Sequence, residues 1–141
     1  MGRPLKIFFD GGCRPNPGEM QVAVVARGMV HHMGGLGRGS SEQAEWLALL
    51  HALNVAELTG AREILLLGDA KGVIAQANGT VRCRNIVGLA QFQQRSAAFE
   101  RVRVRYIRRN QNLAGIALAR IGERQSSPLP RGNGGIGLSA L

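Results

Sequence analysis

The chain predicts an α/β fold, a mixed sheet of five strands flanked by helices. Three observations lead there. Short apolar runs separated by glycine- and proline-rich turns fill the first forty residues. A long apolar helical pattern follows, between Ser40 and Gly60. Strand-like and helix-like segments then alternate to the end of the folded part.

Leu5-Lys6-Ile7-Phe8-Phe9-Asp10 reads as the first strand. Gln21 to Arg27 reads as the second, and Met29 to Gly37 as a weaker third. Their short connections imply that the first three strands are antiparallel. Ser40 with Gln43 three residues later makes a capping box at a helix start. The helix runs to about Thr59, is apolar on most sides, and ends at Gly60, a favoured C-terminal cap. Arg62–Gly68 is the fourth strand and Ala70 to about Asn78 a short helix. Asn85–Phe99 is another helix, with Ile86, Leu89, Ala90, Gln93 and Ala97 along one side. Arg101–Ile107 alternates basic and apolar residues, as in a half-buried strand with a cationic outer face. Asn112–Gly122 closes the domain as a last helix. Residues 1–122 therefore form one domain, and 123–141, rich in Gly, Pro and Ser, a flexible tail.

A chain of 141 residues, 45% hydrophobic, can bury a sizeable core. It contains no apolar run long enough to span a membrane, and its N-terminus lacks the pattern of a secretory signal. A cytoplasmic location is expected, with Cys13 and Cys83 as reduced thiols, since their spacing fits no zinc motif. The net charge of +9 arises almost wholly from arginine, because Lys6 and Lys71 are the sole lysines. Arg101, Arg103, Arg105, Arg108 and Arg109 cluster. A polyanion, and nucleic acid above all, is the expected partner. Aromatic residues are scarce, at 4%, so recognition of a duplex backbone fits better than base stacking.

Three carboxylates stand out. Asp10 and Asp69 end apolar strands, and Glu45 lies in the first turns of the apolar helix. A lone acid at the edge of an apolar element is costly to desolvate and needs a partner. A divalent metal is the obvious one. His31 and His32, adjacent on a strand, point to opposite faces and do not share an ion. Trp46 is read as core, and His51 as a packing residue.

This order of elements, with acids at these places, resembles ribonuclease H over residues 5–122. Asp10-Gly11-Gly12 with Asn16-Pro17-Gly18 is similar to the family's first motif. Gln43-Ala44-Glu45-Trp46-Leu47-Ala48 is similar to its second, and Gly68-Asp69-Ala70-Lys71-Gly72-Val73-Ile74 with Asn78-Gly79 to its third. Ile107-Arg108-Arg109-Asn110-Gln111-Asn112, running to Leu118-Ala119, is similar to the fourth, but Ile116 stands where the family's fourth acid is expected. The basic helical insertion of some members is missing between Asn85 and Phe99.

The resemblance implies a ribonuclease H fold and a metal-dependent endonuclease. It would hydrolyse the RNA strand of RNA–DNA hybrids and leave 5′-phosphates. Two Mg²⁺ or Mn²⁺ ions would be held by Asp10, Glu45 and Asp69 with Gly11. Acids so close repel, and at least one pKa is expected to be raised. Asn112 is offered as a fourth catalytic residue whose amide oxygen replaces the missing carboxylate. Its alternative is to cap the last helix. Gly11, Gly12, Asn16, Ser40, Ser41 and Gln43 are the expected hybrid contacts, with Lys71 and Arg109 for phosphates. The protein is expected to be a monomer without an obligate protein partner. The rival is a hybrid- or double-stranded-RNA-binding module that kept the fold and lost catalysis. Another nuclease of the same superfold, such as a DNA exonuclease, is the third.

Overall fold

The computed structural model describes residues 3–126; the proposed tail from residue 127 onward lies outside them. Strands β1 (Leu5–Cys13), β2 (Gly18–Ala26), β3 (Met29–Met33) and the two-residue β4 (Arg38–Gly39) precede helix α1 (Ser41–Thr59). Then come β5 (Glu63–Gly68), α2 (Lys71–Ala77), α3 (Ile86–Ser96) and β6 (Arg101–Tyr106). A single 3₁₀ turn (Arg109–Gln111) leads into α4 (Leu113–Ser126). The sheet order is β3-β2-β1-β5-β6, with β4 paired to β2. β1, β2 and β3 are antiparallel, while β5 lies parallel to β1 and β6 parallel to β5. The expected five-stranded mixed sheet is therefore present, with a short sixth strand added.

Strand alternation sends successive side chains to opposite faces. Ile7, Phe9, Val22, Val24, Ile64, Leu66 and Val104 face α1, α2 and α3 and form the main core around Trp46, Leu49 and Leu53. Phe8, Ala23 and Val25 face α4, against Ala114 and Leu118. α1 carries the capping box read from the sequence: Ser40 Oγ accepts from Gln43 N–H, and Ser40 N–H donates to Gln43 Oε1 at 2.7 Å. Gly60 closes it in the left-handed conformation, φ 74°.

Four details differ from the sequence reading. β1 and β2 extend to Cys13 and back to Gly18, because the hairpin register continues as far as Cys13 opposite Met20. The buried side of α3 carries Gly88, Leu89 and Phe92, whereas Ile86, Ala90, Gln93 and Ala97 are exposed. The ring of Phe92 is the largest apolar surface on the helix, and its burial sets the rotation. Leu58 of α1 is exposed. α4 begins after Asn112 and runs through Gly122 to Ser126, so the first residues assigned to the tail are helical. Gly122 does not stop the helix but lies near the guanidinium of Arg14, where a Cβ would stand 3.7 Å from Nη1. Cys13 and Cys83 are free thiols.

Candidate metal centre

Asp10 sits on β1 opposite Ala23, on the sheet face that α4 covers. Asp69 directly follows β5, the parallel neighbour of β1, so both strands deliver an acid at the same end of the sheet. Glu45 comes from the first turns of α1. That helix starts hard against the end of β1, where a Cβ on Gly11 would collide with the Ala44 carbonyl. Glycine is required there by close backbone approach. The Gly11 N–H donates to Glu45 Oε1 at 3.1 Å, which fixes the carboxylate toward Asp10.

One oxygen from each of Asp10, Glu45 and Asp69 lies within 4.8 Å of the others, and all three residues are half-buried. They sit in an open cleft of about 630 Å³. Desolvation and the charge of Asp69 raise the Asp10 pKa to about 6, although Arg109 and the contact with Glu45 oppose the shift. Desolvation, then the charge of Asp10, raises Glu45 to about 9, against the Gly11 hydrogen bond. Burial first and mutual repulsion second thus favour a protonated Glu45 near neutral pH, a proton that a cation would displace. Three convergent carboxylates form an all-oxygen donor set suited to a hard divalent ion. Among the described residues this is the sole such cluster of His, Cys, Asp and Glu.

Asn112 is fully buried beside the cluster. Its Oδ1 accepts the Ala114 N–H at 3.1 Å, capping α4, while Nδ2 donates to Asp69 Oδ2 at 3.1 Å and to the Phe9 carbonyl at 3.0 Å. Both neighbours fix the amide's orientation, since the N–H needs an acceptor and the carbonyl a donor. In this arrangement the amide oxygen faces the α4 backbone and the nitrogen faces Asp69, which favours the capping alternative for Asn112 over the fourth-ligand one. Residue 112 is a cap and a donor to Asp69.

The other sequence-predicted residues divide. Gly11, Gly12, Ser41 and Arg109 line the cleft. Ser40 and Gln43 line a neighbouring cavity together with Trp46, Arg84 and Asn85. Asn16 holds the entrance loop to α1 through Ser41 N–H, 3.1 Å from its Oδ1. Lys71 does not reach the cleft; its ammonium lies 5.1 Å from the Tyr106 ring centroid. Arg14, Asn110, Gly115 and Ile116 also line the cleft. Of these, the sequence reading missed Arg14, Asn110 and Gly115. Gly115 was detectable as a glycine inside a helix, which marks a packing or functional constraint. A Cβ there would stand 3.5 Å from Asp10 Oδ2 and 3.7 Å from Asp69 Oδ2.

A family model described as reverse transcriptase-like matches residues 8–122. The chain belongs to that family. The chain is also similar to ribonuclease HI of Halobacterium salinarum, 37% identical over 83 residues. That match covers 55% of this chain and 42% of the relative, so the chain spans less than half the length of this curated protein. The crystal structure of RNase H1 from the same archaeon superposes with a TM-score of 0.76 at 26% identity, covering 88% of this chain and 100% of the other. The N-terminal RNase H domain of a Mycobacterium tuberculosis protein gives 0.74 at 24%, with 89% and 100% covered. LC11-RNase H1, solved with an RNA/DNA hybrid, gives 0.70 at 22%, with 81% and 92% covered. This reverse transcriptase-like chain thus has the ribonuclease H fold.

Proposed function

We propose that this chain is a metal-dependent ribonuclease H that cuts the RNA strand of RNA–DNA hybrids. The observation that carries the reading is the convergence of Asp10, Glu45 and Asp69 at the floor of an open cleft in a strongly basic protein. The family, the fold and the hybrid bound by LC11-RNase H1 support it.

Asp10, Glu45, Asp69 and the Gly11 main chain would hold two Mg²⁺ or Mn²⁺ ions, whose charge activates water and stabilises the leaving oxygen of a phosphodiester. The protein's own groups prepare that site. Gly11 N–H orients Glu45, and the Asn112 amide orients Asp69, as hydrogen-bonded outer partners do for metal ligands. Arg109, whose charge reaches Asp10, stands at the cleft to meet a phosphate. Gly12 leaves the cleft wall open where a backbone can approach: apart from Leu118, 3.9 Å from a Cβ there, nothing crowds it. Ser41 and Asn16 complete the substrate-facing rim, and Ser40 and Gln43 hold the helix start that carries Glu45. With Ile116 in place of a fourth acid, these residues would hold a second ion weakly. The enzyme acts as a monomer in the cytoplasm.

The test is incubation of the full chain with a labelled hybrid and Mg²⁺ or Mn²⁺. Fragments with 5′-phosphate ends that vanish in Asp10→Asn support the enzyme. Tight hybrid binding without cleavage in either metal would make the chain a binding module instead. Ile116→Asp is expected to lower the metal concentration needed for half-maximal cleavage.

A further inference from the structure

The sheet face that carries Asp10 is covered by α4 over β1 and β2, with a fringe on β3. Farther along that face, the edge strand β6 presents a row of cations. Arg101, Arg103 and Arg105 alternate along β6 with Val102 and Val104, which point into the core packed under α1. All three arginines are exposed. In register beside them run Leu65 and Leu67 of β5, then Lys6 and Phe8 of β1. Lys6 is exposed and Leu65 half-buried, so this part of the face is open to solvent.

Among the described residues, none of these three guanidiniums is ion-paired. The acid that shares the row is Glu63, in register with Arg101 at the far end. Arg103, Arg105 and Lys6 therefore form a single-sign strip. Alternate residues on a strand stand about 6.6 Å apart, close enough for unscreened guanidiniums to repel one another. A surface serving solubility alone intersperses both signs. The strip also has a direction. β6 pairs with β5, Ile107 N–H donates to the Gly68 carbonyl at 2.8 Å, and Asp69 follows at once. It leads from the carboxylate cleft, where Arg109 stands, along the same face of the sheet.

We propose that Arg103 and Arg105, with Lys6, form a second nucleic-acid contact, a track for the phosphate backbone of nucleic acid that extends beyond the segment held in the cleft. The placement rests on the proposed function for what occupies the cleft. Its chemistry, unpaired guanidiniums in a row, rests on the strip alone. Because contacts to phosphate are sequence-independent, the track adds affinity and residence on long substrates without selecting sequence.

The experiment compares the full chain carrying Asp10→Asn, to prevent cutting, with and without Arg103→Gln/Arg105→Gln. Binding is measured by anisotropy against a hybrid of roughly one helical turn and one of roughly three turns, over a salt series. The pair is expected to weaken the long hybrid on the order of tenfold and to flatten its log K against log[salt] slope by about 2. Affinity for the short hybrid stays unchanged, as does its cleavage in the Asp10 protein. Arg103→Lys/Arg105→Lys retains most of the length-dependent affinity. An equal loss on both lengths would place the arginines in the cleft itself and overturn the track. No loss at either length would also overturn it, and would direct attention to an acidic protein surface. If the unsubstituted chain binds but never cuts hybrid, while the length-dependent loss persists, the proposed function fails and the track stands.

Discussion

The side-chain nitrogen of Asn112 lies 3.1 Å from Oδ2 of Asp69, so the amide presents its donor, not its oxygen, to the acid. One buried side chain thereby joins three elements: Asp69 after β5, the Phe9 carbonyl on β1, and the start of α4.

Asn112→Ala is expected to remove a helix cap and strand a carbonyl in the core, costing about 2–4 kcal/mol of stability. Metal affinity should fall roughly 10–100-fold as Asp69 loses its orienting donor. Calorimetric unfolding and metal titration measure the two effects separately. Asn112→Asp keeps the cap but replaces a donor beside Asp69 with a negative charge. It should destabilise the metal-free protein, and added divalent ion should restore more stability than in the parent.

Asp10→Asn, Glu45→Gln and Asp69→Asn are each expected to lower hybrid cleavage by on the order of a hundredfold or more. Each removes charge from a metal site, where even outer-partner losses cost 10–100-fold. Thermal unfolding in the absence of metal should not follow the loss of cleavage. Glu45→Gln should not destabilise the protein above neutral pH, because it removes a half-buried acid whose ionisation is unfavourable there.

Metal-free stability should fall as pH rises. Glu45 titrates near 9 in the fold against 4.5 as a free side chain, and Asp10 near 6 against 3.8. Between those values the folded protein holds protons that the unfolded chain has released, so raising pH favours unfolding. The contribution is complete below about pH 4 and is lost progressively up to about pH 9. Scanning calorimetry from pH 5 to 9 reads the trend. Millimolar Mg²⁺ should flatten it and stabilise more at pH 8 than at pH 5, since binding to the folded state adds stability by mass action. A midpoint independent of pH in metal-free buffer would contradict the electrostatics of the cluster.

Two glycines on opposite sides of the carboxylates should behave differently. Gly11→Ala forces a methyl into the Ala44 carbonyl and is expected to cost about 3 kcal/mol, with loss of activity as Glu45 shifts. Gly115→Ala meets its nearest neighbour at 3.5 Å, an ordinary contact, and should fold normally while crowding the acids. Unfolding midpoints and cleavage rates of the two variants separate folding from site effects.

The three acids were legible in the sequence because each stands alone at the end of an apolar element, a pattern that solvated surface acids lack. Ser40, Gln43 and Gly60 were legible as caps because those interactions are local. What depended on tertiary packing was not. The rotation of α3 follows Phe92, which periodicity could not rank above Ile86 or Ala90. The direction of the Asn112 amide depends on the Phe9 carbonyl, 103 residues away. Lys71 lies two positions after Asp69, yet it starts a helix and turns to Tyr106. Arg14 reaches the cleft from a loop whose approach no spacing rule encodes.

The seating of α1 on β1 through Gly11 has a bearing on how this protein can change over generations. Near the acids, the gap between α1 and β1 is gauged by the Gly11 main chain against the Ala44 carbonyl. Exchanges in the layer around Trp46 that conserve volume are therefore better tolerated than any side chain at position 11. Drift in the interior and constancy of the reaction centre are compatible because different atoms govern each.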